Sequence, residues 1–359
     1  MKLGMEPVLE TDHLSVVYES GGRLAAAVND VSLKVYPGQI VGLVGESGSG
    51  KSTLAYAVMR LLPSNALVVN GTMRVMGQDI YQMSDKQLRS FRWNQFSMVF
   101  QSALVALNPV LTIERQFIEI FHIHRPDMNH DQVWTQIKNL MELVRINPSR
   151  LRAFPHELSG GMRQRIVIAM AIALDPALVI MDEPTTALDS VVQRDILLEI
   201  RRIQESRQFA VLFISHDLRL VQFLCQEIGV MYAGKLVEVG HASALNVQGL
   251  HHPYTEGLMA ATPTLTKSSS TIQGIGGQPP DLLHLPSGCA FHPRCRYAQS
   301  ICRESVPKMR TVGEVNMMCH IRGTLKEQSN GHASMGDELR EIEEKGAGGN
   351  GGTVSLASQ

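Results

Sequence analysis

The stretch "IVGLVGESGSGKST", Ile40 to Thr53, decides how this chain folds. Its first five residues are apolar and follow the turn formers Pro37 and Gly38, the pattern of a short strand buried on both faces. A run of glycines and serines leads to Gly50, and from Lys51 the apolar residues return at helical spacing. Gly45, four residues, Gly50, Lys51 and Ser52, set between a strand and a helix, form the layout of a phosphate-binding loop. Gly45, Gly48 and Gly50 allow backbone angles that other residues avoid. Loop N–H groups, those of Ser47 and Ser49 among them, can then point at one anion beside a helix N-terminus. Lys51 reaches the β- and γ-phosphate oxygens, Ser52 offers a hydroxyl to Mg²⁺, and Thr53 completes the set of nucleotide contacts. The competing reading, a glycine-serine loop without function, does not account for the strand before it and the helix after it.

Outward from this loop, "LSVVYE" and "DVSLKVY" on one side and "FSMVF", "ALVIM", "AVLFIS" and "EIGVMYAG" on the other read as strands. Residues 131–144 and 161–174 carry helical apolar spacing, and residues 189–202 place Val192, Ile196, Leu197 and Ile200 on one face. Strands alternating with helices predict an α/β fold with a largely parallel sheet. A chain of 359 residues has room for two domains of roughly 150 residues each. Hydrophobic residues at 44% and charged residues at 19% mark a globular chain, and a formal net charge of -1 leaves no global footprint for nucleic acid. Phosphate chemistry must therefore be local. Glu6, Glu10 and Asp12 stand where a secretion signal needs an apolar core. The longest apolar runs, "IVIAMAIAL" and "ALVIM", are shorter than the roughly 18 to 20 residues that span a bilayer. A soluble, cytosolic chain that meets a membrane only through a partner is expected.

"ALVIMDEP" ends an apolar strand on Asp182 and Glu183, at the strand end where α/β folds bind ligands. Alone, such a pair reads as a solvated turn. Beside a phosphate loop, Asp182 suits Mg²⁺ and Glu183 suits the activation of an attacking water. The run "HELSGGMRQR", with Leu158, Ser159, Gly160, Gly161 and Met162, then resembles the signature of ABC transport ATPases, and the resemblance spans roughly residues 8–247. A serine and two glycines at a helix start make a second anion site. The resemblance implies that Ser159, Gly160 and Gly161 cap ATP bound to an opposing subunit, and that Asp189 in "TTALDS" lies at the same interface. It further implies that Tyr18 stacks on adenine, that Gln101 contacts Mg²⁺ or the attacking water, and that His216 contacts the γ-phosphate. Without it, Tyr18 would read as strand packing and His216 as an ordinary histidine. After Gln101 the chain reads Ser102-Ala103, where many relatives carry Asp-Pro. That departure touches the loop bordering the membrane partner, not the nucleotide chemistry. Arg163 and Arg165, beside the signature, are read as helix-surface and interface residues, and no nucleic-acid partner is expected.

One phosphate loop and no fused membrane span are similar to a separate ATPase subunit of an importer. "HHPYTEGLMAATP" and a cysteine-bearing tail extend the resemblance, over residues 1–325, to the dipeptide/oligopeptide (nickel) importer family. Membership implies ATP hydrolysis at the cytoplasmic face of the cell membrane, the chain attached peripherally. The implied partners are two transmembrane permeases, a second ABC ATPase subunit, identical or homologous, and an extracytoplasmic substrate-binding protein. Dipeptides or oligopeptides are the expected cargo; relatives carry oligosaccharide or nickel, and a soluble non-transport ABC ATPase is the rival class. The implied fold is an α/β P-loop NTPase of ABC type with an inserted helical subdomain at about 85–172. It occupies residues 1–247, and a small loop-rich cysteine-containing domain follows at 248–325. The remainder, 326–359, reads as a disordered tail with at most a charged helix at 336–345. His252 to Thr255 are assigned a structural role, packing the C-terminal segment back onto the ATPase.

Cys225 sits in the apolar run "LVQFLC" and reads as core. Cys289, Cys295, Cys302 and Cys319 lie close together in a segment where a reducing compartment disfavours disulfides. Four thiols suit tetrahedral zinc or an iron-sulfur cluster, and the spacing alone does not choose. The family resemblance implies a 4Fe-4S cluster, with zinc the alternative and His292 and His320 as spare or supporting groups. A structural role is expected, so Cys302→Ser should disorder the tail and leave the phosphate loop competent.

Overall fold

The computed structural model describes residues 5–101, 106–186, 188–245, 250–261 and 274–322. Ser102 and Ala103, and the tail from 326 with its expected helix at 336–345, lie outside the described residues.

Among the described residues two sheets form. The smaller is antiparallel, in the order β2 (Arg23–Val35), β1 (Leu9–Ser20), β4 (Ala66–Val75) and β5 (Gln78–Asp79). The larger has a parallel centre of β3 (Ile40–Val44), β6 (Phe96–Val99), β7 (Leu178–Asp182), β8 (Ala210–Ser215) and β9 (Glu227–Tyr232), ordered β9-β3-β8-β7-β6. Three antiparallel strands extend it beyond β9: β10 (Lys235–His241), then β12 (Val315–Met317), then β11 (Arg310–Val312). The parallel centre matches the sequence expectation. The antiparallel sheet was not anticipated.

The parallel strands are buried on both faces, and their alternation feeds two cores. Val41, Leu43, Leu178, Ile180, Leu212 and Ile214 face α1 (Lys51–Val58) and the small sheet. Ile40, Val44, Val179, Met181, Val211 and Phe213 face the other core. That second core holds α3 (Ile113–His124), α4 (His130–Leu143), α5 (Gly160–Ala171) and α6 (Ser190–Arg207). Each of these helices starts on a side-chain cap, Thr112, Asn129, Ser159 and Asp189 in turn, which satisfies first-turn N–H groups. The span 85–172 holds α2 (Asp85–Phe91) through α5, together with β6 at the edge of the main sheet. Two short helices, α7 (Leu218–Leu224) and α8 (Pro253–Ala261), follow β8 and β10, and α9 (Ser300–Glu304) lies among the cysteines.

Residues of the C-terminal segment share the core of the α/β domain. Phe291, Val312, Val315, Met317 and Cys319 pack in the same cluster as α3 to α6. β12 pairs with β10 through Glu238–Met317, Val239–Asn316 and Gly240–Val315. Among the described residues no helix is long and apolar enough to cross a membrane.

Candidate functional site

The phosphate loop leaves β3 at Val44 and enters α1 at Lys51, as its glycines require. Gly50 adopts φ 105°, and a Cβ there would lie 2.1 Å from Ala27 O, so no other residue fits. Ser47 and Gly48 are exposed at the loop's tip, whereas Ser49 and Lys51 are buried. The Lys51 ammonium donates to Gly45 O (2.8 Å), Glu46 O (2.8 Å) and Ser49 Oγ (3.1 Å). Burial lowers the pKa of Lys51, and the carboxylates of Glu183, Asp182 and Glu46 act the other way. Ser49 N–H closes a turn on Glu46 O (3.2 Å), so Ser49 serves the shape of the loop.

Ser52 Oγ donates to Asp182 Oδ1 at 3.1 Å, bringing together two residues the sequence assigned to Mg²⁺. Asp182 is 2% exposed, and burial raises its pKa against the opposing pull of the Ser52 bond and Lys51. Such a carboxylate is suited to a cation. Glu183 follows at the strand end with φ 47°, a left-handed conformation that non-glycine residues avoid. Three side chains surround its carboxylate: Gln101 Nε2 donates at 3.0 Å, Thr186 Oγ1 donates at 2.9 Å, and His216 Nδ1 lies 3.2 Å away. Gln101, Glu183 and His216, read from three separate stretches of sequence, thus form one group. Thr186 was missed; a hydroxyl three residues after an acidic residue carries no signal of its own.

Tyr18, on β1, places its hydroxyl 3.4 Å from Thr53 Oγ1, at the start of α1. Ser159 and Asp189 bond within their own helices: Ser159 Oγ accepts from Met162 N (3.3 Å), and Asp189 Oδ1 accepts from Val191 N (3.1 Å) and Val192 N (3.0 Å). The signature glycines have a packing reason beside their N–H groups. A Cβ on Gly161 would come within 2.8 Å of Val192 Cγ1, and one on Gly160 within 3.3 Å of Leu188 Cδ2. Small residues let the start of α5 lie against α6. Arg165 donates to Val144 O (3.3 Å) at the end of α4, which is an internal contact.

None of the five cysteines is in a disulfide. Cys225 is core, its thiol pushed far up by burial. Burial pushes Cys289 up to about 11, and the thiols of Cys302, Cys319 and Cys295 each add to that rise. Among the described residues no three His, Cys, Asp or Glu side chains converge on a single metal ion. His292 Nδ1 bonds Cys289 O (3.0 Å) and His320 Nε2 bonds Ser305 O (2.9 Å), so both imidazoles brace the backbone around the thiols.

The C-terminal segment also reaches the phosphate loop itself. Glu46 N–H donates to Tyr254 Oη (2.7 Å), and Arg294 holds the Glu46 carboxylate with two N–H groups (2.7 and 2.9 Å). Sequence reading missed Glu46 and Arg294 and gave Tyr254 a packing role only.

Comparison with known proteins agrees with this geometry. The family model described as "ABC transporter" matches residues 28–186, and that described as "Oligopeptide/dipeptide transporter, C-terminal region" matches residues 237–302. The chain is 34% identical over 319 residues to the dipeptide transport ATP-binding protein DppD of Caldanaerobacter subterraneus subsp. tengcongensis, covering 88% of this chain and 98% of that one. It is 38% identical over 302 residues to the oligopeptide transport ATP-binding protein OppD of Salmonella typhimurium, covering 84% and 89%. The dimeric post-hydrolysis structure of the ATP-binding cassette MJ0796 with ADP and Pi superposes with a TM-score of 0.58 at 24% identity, over 65% of this chain and 98% of that one; it shares the cassette fold. The phosphate loop, the carboxylate pair, the signature and the C-terminal match together place this chain in the dipeptide and oligopeptide family of ABC transporter ATP-binding proteins.

Proposed function

We propose that this chain is the ATP-hydrolysing subunit that powers import of dipeptides or oligopeptides through two membrane permeases. The observation that carries the reading is the Glu183 carboxylate, held by Gln101, Thr186 and His216 beside the Ser52–Asp182 pair. The loop N–H groups and Lys51 bind the β- and γ-phosphates, and Tyr18 receives the adenine. Ser52, Asp182 and Gln101 would hold Mg²⁺, which supplies charge neutralisation on the β- and γ-phosphate oxygens when bound. Glu183 accepts a proton from water as its oxygen attacks the γ-phosphorus and the bond to ADP breaks. Gln101 and Thr186 fix the carboxylate that does this, and His216 stands beside it facing solvent, where a γ-phosphate can be met.

Ser159 and Asp189 are exposed and, among the described residues, their side chains bond within their own helices, which supports the assignment of Ser159, Gly160, Gly161 and Asp189 to ATP on a second ATPase subunit. That relatives are dipeptide and oligopeptide transport ATP-binding proteins supports peptide cargo; peripheral attachment at the cytoplasmic membrane face and delivery by an extracytoplasmic binding protein belong to the same reading. Exposed Phe100 and Val110 support a permease contact at those two residues.

Residues 1–247 act as the nucleotide-binding unit, with 248–325 a cysteine-bearing appendage docked on it. Cys289, Cys295, Cys302 and Cys319 fit a 4Fe-4S cluster in that appendage. What supports that reading is four thiols free of disulfides within one short segment, a donor set that suits an iron-sulfur cluster or zinc. Cys289, Cys295, Cys302 and Cys319 would hold the cluster, which would crosslink a segment too small to build its own core.

Glu183→Gln tests the reading. ATP binding should persist while hydrolysis by the assembled complex falls by about 10²- to 10⁴-fold, the usual contribution of a general base. Turnover at the wild-type rate removes Glu183 from that role.

A further inference from the structure

We infer that Arg294 and Tyr254 are positioning residues for the ATPase reaction, a clamp by which the C-terminal segment sets the shape of its own chain's phosphate loop. The inference rests on the nucleotide-site reading and adds two residues that lie far outside its motifs.

Glu46 is the first non-glycine residue of the loop, and each of its polar groups is committed. The carboxylate takes the Arg294 fork, Nη1 at 2.7 Å and Nη2 at 2.9 Å. The N–H goes to Tyr254 Oη at 2.7 Å, and the carbonyl accepts from Lys51 Nζ at 2.8 Å. The same residue therefore connects the C-terminal segment to the lysine that meets phosphate.

The clamp is itself rigid. Arg294 is 5% exposed in its side chain, its Nε donates to Gly276 O (2.9 Å), and its guanidinium lies 5.8 Å from the Tyr232 ring and 5.9 Å from the Phe291 ring. Tyr254 is fully buried, with ring centroids 4.6 Å from Tyr232 and 5.5 Å from Phe291. An exposed ion pair would contribute little, because water and side-chain entropy offset it. A planar, two-pronged pair with the arginine already immobilised differs: it fixes geometry at small entropic cost, and removing one partner strands a buried charge.

The loop needs such a brace. Its glycines give it the angles an anion nest demands and also the freedom to leave them. Freedom that is not removed beforehand is lost on binding and weakens affinity. A clamp on Glu46 removes part of it in advance. It should act on nucleotide binding more than on the chemical step, since neither Arg294 nor Tyr254 bonds Glu183, Gln101 or His216 among the described residues.

The test titrates the full chain with a fluorescent ATP analogue and measures ATP hydrolysis in the assembled complex. The variants are Glu46→Gln, Arg294→Gln, Arg294→Lys, Tyr254→Phe and the double variant Glu46→Gln with Arg294→Gln. Each of Glu46→Gln and Arg294→Gln should raise Kd and KM for nucleotide about tenfold with kcat within about twofold, the scale of a coupled contact. The double variant should be no worse than the weaker single one, and Arg294→Lys should recover part of the loss. Tyr254→Phe removes one oxygen from a packed ring and should raise KM several-fold at an unchanged Tm. Wild-type Kd and KM in folded Glu46→Gln and Tyr254→Phe, or losses that simply add in the double variant, would overturn the clamp. Failure of the wild-type chain to bind the analogue would instead take down the nucleotide-site reading and the clamp with it.

Discussion

Asp182 carries its charge against its surroundings. Burial raises its pKa, and the Ser52 hydrogen bond and Lys51 only partly compensate. A folded-state value above the unfolded one means that the folded chain binds the proton more tightly. The ionised carboxylate therefore costs stability, from nothing below the unfolded pKa of about 3.9 to its full extent above the folded one. Asp182→Asn should therefore raise the Tm of the nucleotide-free chain at pH 7. The gain should vanish near pH 3, and Mg²⁺-dependent hydrolysis should be lost. A lowered Tm at pH 7 would show that the carboxylate is stabilising where it stands. At this scale the sequence announced the residues whose type is dictated by chemistry, such as Lys51, Asp182 and Glu183. It hid those dictated by position. Glu46 reads as a solvated loop residue until Arg294, 248 positions away, is seen upon it.

The elements are held in place by charges placed where charges are costly. Glu199 on α6 is 3% exposed and meets Arg145 after α4 (3.4 Å), Arg165 on α5 (3.7 Å) and Arg202 on its own helix. Arg165 and Arg202 also donate to Val144 O and Leu143 O at the end of α4, where helical carbonyls lack partners. One carboxylate thus ties three helices together. Glu199→Ala leaves three cations without their anion and should cost about 3 kcal/mol, the low end for a broken buried pair, because Arg145 and Arg202 are partly in water. Urea unfolding would measure it; a midpoint within error of wild type would make the cluster ornamental. α6 itself was legible, since Ile196, Leu197 and Ile200 recur at helical spacing and are all buried. β4 was not. Asn70 and Gly71 interrupt it, Leu67 and Val69 face out, and its pairing with β1 shifts register between Asp12 and Ser15, where a Cβ on Gly71 would lie 2.5 Å from Asp12 O. Its apolar pattern is broken by the bulge that makes the pairing possible.

At the scale of the molecule, the change of texture near residue 247 marks an insertion point more than a separation. The β11–β12 hairpin extends the main sheet, and Arg294 and Tyr254 stand on the phosphate loop. Linear composition shows where a chain turns polar and glycine-rich; it does not show where the chain returns. The clamp predicts a different outcome from the expectation that the loop stays competent when the cysteine segment is disordered. Arg294 ends a short 3₁₀ turn directly before Cys295, and Cys289 N–H donates to Cys302 O at 2.8 Å, so the thiols and the clamp share one backbone. On the proposed cluster reading, Cys302→Ser should lower iron and sulfide content, and it should also raise Kd for the ATP analogue about tenfold, the loss expected of Arg294→Gln. Arg294→Gln should do the second without the first. Unchanged ATP affinity in a Cys302→Ser chain that has lost its iron would show that the clamp holds without the thiols. Stoichiometric zinc without sulfide in the wild-type chain would replace the cluster by a single ion and leave the mechanical coupling as it stands.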